Sequence, residues 1–235
     1  MPNSARGSLW SKWDLHVHTP FSIEQHYGDS NSDDVWNQFF KDIESLPPEI
    51  KVLGINDYIF VNGYERVLQA KKDGRLGNIE LILPVIELRI DRFSGTDSNL
   101  KRLNFHVIFS DKVSIDVIRA QFINRLSVEY ILSPEYESLK RHWNGVATPE
   151  SLCELGNLVI ESTPEAKRSL LPSPKQVGFN SLNYTLAKVY ECLNHHNFQD
   201  KYLTAFGLTE WSQMRFDGGS AASKISIINK VDLAG

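Results

Sequence analysis

The sequence predicts an α/β protein built on a parallel sheet or barrel, and three observations carry that expectation. Strand-like apolar runs alternate with segments of helical periodicity in the order β, α, β, α, β, β, α. The run over residues 79–90 is apolar on both alternating faces, as in a strand covered on two sides. Residues with ligand chemistry recur at the ends of successive runs. Parallel strands need crossovers, so helices between strands point to this class.

Residues 11–17 read as the first strand, followed by a long polar loop over 19–32. Residues 33–46 place Val35, Phe39, Ile43 and Leu46 on one helical stripe, with Ser32 or Asp33 as cap and Pro47-Pro48 as stop. Strand character returns over 51–56, helix over 64–72, and strand over 79–90 and 103–109. Between those last two, residues 91–100 are rich in Gly, Ser, Thr and Asp and read as a loop. A helix capped near Ser114 aligns Ile115, Ile118, Phe122 and Leu126. Residues 135–142 and 149–155 suit short helices, the second with Thr148 as cap, Pro149 at its first position and Gly156 at its end. Residues 156–174 read as the mobile part of the chain, 175–195 as one long helix, 202–210 as a fifth strand and 221–231 as helix or strand.

With 235 residues, 41% hydrophobic and 23% charged, the chain can bury a sizeable core, which excludes a collagen, a coiled coil and wholesale disorder. No stretch approaches the roughly 18 apolar residues of a membrane span, and the polar start has no secretory signal, so no membrane partner and a cytoplasmic location are expected. Twenty-five Lys and Arg against 29 Asp and Glu give −4, without the basic footprint of a duplex-coating protein. Bound cations would supply a local positive field for phosphodiesters all the same. Cys153 and Cys192 lie in helix-like segments and read as small core residues.

The densest chemical signal is WDLHVHTPFS, in which His16 and His18 stand two apart on a strand and project to one side. Asp57 ends the second strand in GINDY, Glu87 lies near the end of the third in PVIEL, and His106 lies in the fourth in NFHVIF. In a parallel barrel such ends share one face, where active sites form. Singly, each has a plain structural alternative: Asp57 a turn cap, Glu87 an ion pair, His106 a core histidine. Mixed imidazole and carboxylate donors suit Zn, Mn or Fe better than Mg or Ca, and the chemistry they imply is hydrolysis by an activated water.

These motifs resemble the PHP (polymerase and histidinol phosphatase) superfamily. SKWDLHVHTPFS, GINDY, LILPVIELRI and NFHVIFSD are more narrowly similar to the N-terminal PHP domain of large AAA-like or SMC-like ATPases of bacterial defence loci. The resemblance covers about residues 10–110 and extends weakly to TAFGLTEW. It implies a distorted, TIM-like, seven-stranded β/α barrel, whole or incomplete in this chain, with one to three metals held by His16, His18, Asp57, Glu87 and His106. Tyr58 stands where the family has a ligand histidine, and the terminal Asp-x-His pair has no counterpart. Asp57 and Glu210 are the candidate catalytic carboxylates. Asp14, His26 and Arg89 are candidates for orienting an imidazole, for late ligation and for phosphate contact.

The expectation is therefore one PHP-like domain over residues 1–235, with the motifs in 10–110, a helical, partly mobile insertion at about 127–200 and a later barrel strand at 202–211. It is expected to be the N-terminal part of a larger protein. Its activity is that of a metal-dependent nuclease using Mn or Zn, or Fe, with nucleic acid as substrate and an ATPase module, in cis or as a partner chain, in antiviral defence. The alternatives are a phosphatase of the histidinol phosphatase type and a degenerate platform regulating the ATPase. The apolar residues Ile225, Ile227, Ile228 and Val231 near the end of the sequence predict an oligomer.

Overall fold

The computed structural model describes residues 10–96, 99–126, 128–131 and 142–206. Glu210 and the stretch 221–231 lie outside the described residues, as do residues 135–141 of one expected helix. Two compact units emerge, Met1–Ile86 with Ile108–Ile115, and Glu87–Val107 with Asp116–Gly235.

In the first unit, β1 (Lys12–Val17) leads through the polar loop to α1 (Asp33–Glu44). The Ser32 side chain accepts from the Val35 N–H at 3.4 Å, and Asp33 and Asp34 complement the positive end of the helix. The buried stripe is Trp36, Phe39, Phe40 and Ile43, rotated from the expected one, with Val35 and Leu46 at its margin. Each such side chain gains about 1.5–3 kcal/mol on leaving water. The stripe packs on Leu53 and Ile55 of β2 (Ile50–Asn56) and on Tyr64, Val67 and Ala70 of α2 (Asn62–Lys72). Burial, with the Asp111 carboxylate adding to it, pushes the Tyr64 phenol up to about 12. The indole N–H of Trp36 donates to Ser30 O at 2.8 Å and so fastens the long loop to the core.

β3 (Leu81–Thr96) and β4 (Asn99–Phe109) each run through both units. The sheet order is β1-β2-β3-β4-β7, where β7 is Tyr202–Phe206; β1 and β2 pair in parallel, as do β2 and β3. This corrects the expected barrel: the sheet is open, with β1 and β7 at its ends. The cause lies in residues 91–100, expected as a loop. Asp91–Thr96 instead prolong β3, leaving only residues 97 and 98 before its neighbour β4. A link that short makes a hairpin and not a crossover, so parallel winding stops at β3. Turn-type residues concealed it, because a hairpin ladder satisfies polar backbone whatever the side chains.

In the second unit, α3 (Ile115–Gln121) precedes the antiparallel pair β5 (Val128–Ile131) and β6 (His142–Gly145). α4 (Pro149–Ser162) starts at Thr148 and Pro149 as expected but runs through Gly156, and the short α5 (Glu165–Arg168) occupies part of the segment expected to be mobile. Gly156 is interior because α6 (Pro174–Ser181) crosses α4 there. A Cβ on Gly156 would lie 1.8 Å from Pro174 O, and one on Gly178 would lie 1.9 Å from Leu152 O. The expected helix 175–195 is two helices, α6 and α7 (Leu186–Leu193). Between them Tyr184 turns to strand geometry: its N–H donates to Arg89 O at 3.2 Å and its carbonyl accepts from Asp91 N at 2.9 Å. Tyr184 is 2% exposed, and burial alone raises its phenol. Cys192 is buried, which raises its thiol, and Cys153 is half-buried. Among the described residues no helix is long and apolar enough to cross a membrane.

Candidate functional site

β1 ends at Val17, so His16 is its penultimate residue and His18 begins the loop. The two imidazoles still meet, edge to face, with centroids 4.9 Å apart and their Nε2 atoms at 3.2 Å. His18 Nδ1 faces Ser22 Oγ at 3.0 Å. Asn56, at the end of β2 and fully buried, presents its side-chain amide to His16, 3.2 Å from Nδ1. Asp14, a candidate for orienting an imidazole, instead accepts the backbone N–H of His16 at 3.1 Å.

Asp57 is also fully buried. One carboxylate oxygen accepts the Thr19 backbone N–H and the other the Thr19 hydroxyl, each at 2.8 Å. These charge-assisted bonds fix the chain immediately after His18. The first turn of α2 leaves the room, since a Cβ on Gly63 would stand 1.8 Å from Asp57 Oδ2 and 2.2 Å from Thr19 Oγ1. The Asp57 carboxylate therefore has a clamping role that the strand-end pattern did not show.

Tyr58 has φ 60°, in the left-handed region that a bulky residue seldom enters. Its N–H donates to Asn56 Oδ1 at 3.2 Å, and its ring comes to 4.9 Å from the His18 ring. The turn thus sets the Tyr58 ring beside that of His18. A cleft of about 580 Å³ opens here, lined among others by His16, His18, Glu24, His26, Tyr27 and Tyr58. His26 is thus placed at the cleft. Burial, then the carboxylates of Asp42 and Asp57, raise the Tyr27 phenol, so it stays protonated.

In the second unit Glu87 and His106 are 3% and 6% exposed, and His106 Nε2 lies 3.4 Å from Glu87 Oε2. The hairpin of β3 and β4 brings them together, in place of the parallel strand ends expected. Arg89, two residues past Glu87, places its guanidinium over the Phe179 ring at 5.0 Å.

Each unit carries one pair of donors, two imidazole nitrogens in the first and a carboxylate oxygen with an imidazole nitrogen in the second. Two donors each about 2.1 Å from one tetrahedral ion stand about 3.4 Å apart. The His16–His18 spacing of 3.2 Å and the Glu87–His106 spacing of 3.4 Å both match that figure.

Strand periodicity singled out His16, His18, Glu87 and His106 as candidates and passed over Asn56, Thr19, Ser22 and Gly63. Asn56 carried a signal, being a polar residue that closes the apolar run KVLGI. Thr19, Ser22 and Gly63 are ordinary loop and helix-start residues by composition. No family model, curated protein or solved structure matches the chain.

Proposed function

We propose that the chain is a metal-dependent phosphoesterase, acting as a nuclease, with two pairs of candidate ligands, His16 with His18 in the first unit and Glu87 with His106 in the second. The observation that carries the proposal is that each pair, taken within its own unit, has the spacing of two donors on one ion. When bound, such an ion lowers the pKa of a coordinated water and neutralises charge growing on a phosphoryl oxygen. The chain's own groups do the rest. Asn56 orients the His16 ring, Ser22 the His18 ring, and Asp57 holds the loop between them through Thr19. This reading gives Asp57 a positioning role. Association with a defence-linked ATPase is supported by motif resemblance alone.

A non-catalytic platform is favoured by a different observation: Tyr58 replaces a ligand of the resembled family, and the Asp57 oxygens both serve Thr19. Metal analysis of the purified protein beside cleavage assays on single- and double-stranded nucleic acid with added Mn separates the readings. Bound metal with nuclease turnover supports the proposal; bound metal with turnover only of small phosphate monoesters supports a phosphatase; neither supports the platform.

A further inference from the structure

The cleft beside His16 and His18 has walls that the hydrolytic chemistry does not require. Tyr27 is 42% exposed, yet it is rigidly presented. Phe39, fully buried, braces its ring edge to face at 5.5 Å and 87°. Gln25 closes the turn beneath it: the amide oxygen accepts from the backbone N–H groups of Tyr27 and Gly28, and the amide nitrogen donates to Gly28 O at 2.7 Å. A held aromatic face loses little freedom when a flat ligand lands on it. Tyr58 and His26 add further ring surface to the same cleft.

The polar lining carries the complementary information. Asp14 and Glu24 supply carboxylates, and none of the described lining residues is Lys or Arg. Such a wall repels a run of phosphates, while its oxygens accept hydrogen bonds from exocyclic amino and sugar hydroxyl groups. A volume of about 580 Å³ is of the size that takes a small organic ligand.

We infer that this cleft receives one unpaired nucleobase with its sugar, next to the phosphate to be cleaved, so that the substrate is a nucleotide or an unpaired strand and not a duplex. The inference rests on the phosphoesterase reading for the reaction, while ring binding stands apart from it. Stacking on an aromatic side chain changes affinity by roughly tenfold per base.

The test is calorimetric titration of the Mn-treated protein with adenosine 5′-monophosphate and with ribose 5-phosphate, and of the metal-free protein with adenosine. The nucleotide should bind at least roughly tenfold more tightly than the sugar phosphate. Tyr27→Ala should abolish that preference and Tyr27→Phe should keep it, with circular dichroism confirming the fold of both. Equal binding of the two ligands, or a preference that survives Tyr27→Ala, would overturn the inference, as would faster cleavage of a duplex than of its separated strand. Adenosine binding to metal-free protein that neither loads Mn nor turns over would sustain the inference and defeat the phosphoesterase reading. Metal-dependent turnover without any preference for the base would do the reverse.

Discussion

Thr19 donates both its backbone N–H and its hydroxyl to Asp57, one to each carboxylate oxygen, at 2.8 Å, with both residues sealed from solvent. This contact ties the loop that begins at His18 to the end of β2. Asp57→Ala leaves a buried N–H without its acceptor and should cost about 2 kcal/mol, whereas Thr19→Val, which keeps the backbone bond, should cost less. Urea unfolding curves measure both, and an Asp57→Ala midpoint equal to that of the wild type would refute the clamp.

Gly63 belongs to the same contact. Its absent Cβ would stand 1.8 Å from Asp57 Oδ2, so Gly63→Ala should destabilise by roughly 1–3 kcal/mol. Because the added methyl acts by displacing Asp57, the double substitution with Asp57→Ala should cost less than the sum of the two. Strict additivity in the same unfolding assay would show that the methyl acts elsewhere.

In the second unit the α4–α6 crossing makes an independent prediction. Gly178→Ala drives a methyl against Leu152 O, at 1.9 Å before any relaxation, and should cost roughly 1–3 kcal/mol. Thermal unfolding followed by circular dichroism should show a lowered midpoint. An unchanged midpoint would mean that the helices separate without penalty.

The Arg75–Glu44 pair sets a pH dependence. Two guanidinium N–H groups of Arg75 donate to the Glu44 carboxylate at 2.9 and 2.8 Å, and these bonds hold its pKa below the ordinary 4.5. A folded-state pKa below the unfolded one gives stability that is present above about pH 4.5 and lost as pH falls through the lower folded value. The pair is about a third exposed, so the contribution stays below about 1 kcal/mol. Glu44→Gln should be less stable than wild type at pH 7, with the gap closing below pH 4. A gap of constant size down to pH 3 would contradict this assignment.

Much of the first unit was legible because its periods are simple. Ser32 caps α1 as its position suggested, and the ends of β2 and α2 fall within two residues of those expected. The His16–His18 pairing was expected from strand geometry, yet His18 lies one residue past β1 and reaches His16 from the loop. The open sheet was illegible because parallel and hairpin connections differ in link length, and the short link was hidden where polar residues 91–96 lie within β3. The break at Tyr184 was illegible for a related reason: Phe179, Leu182, Leu186 and Val189 keep a helical period, but backbone bonds to Arg89 and Asp91 take Tyr184 out of the helix. Tertiary partners overrode local pattern in both places.

The proposal is that the pairs His16–His18 and Glu87–His106 are metal ligands of a phosphoesterase. The measurement that addresses it most directly is the rate of bis-p-nitrophenyl phosphate hydrolysis as Mn is titrated into metal-stripped protein, wild type beside Glu87→Gln. The predicted result is a rate that rises from background and saturates with Mn in the wild type, and falls by at least tenfold in the variant, with the loss of one ligand. A wild-type rate that stays at background at every Mn concentration, or a Glu87→Gln rate equal to it, would contradict the claim.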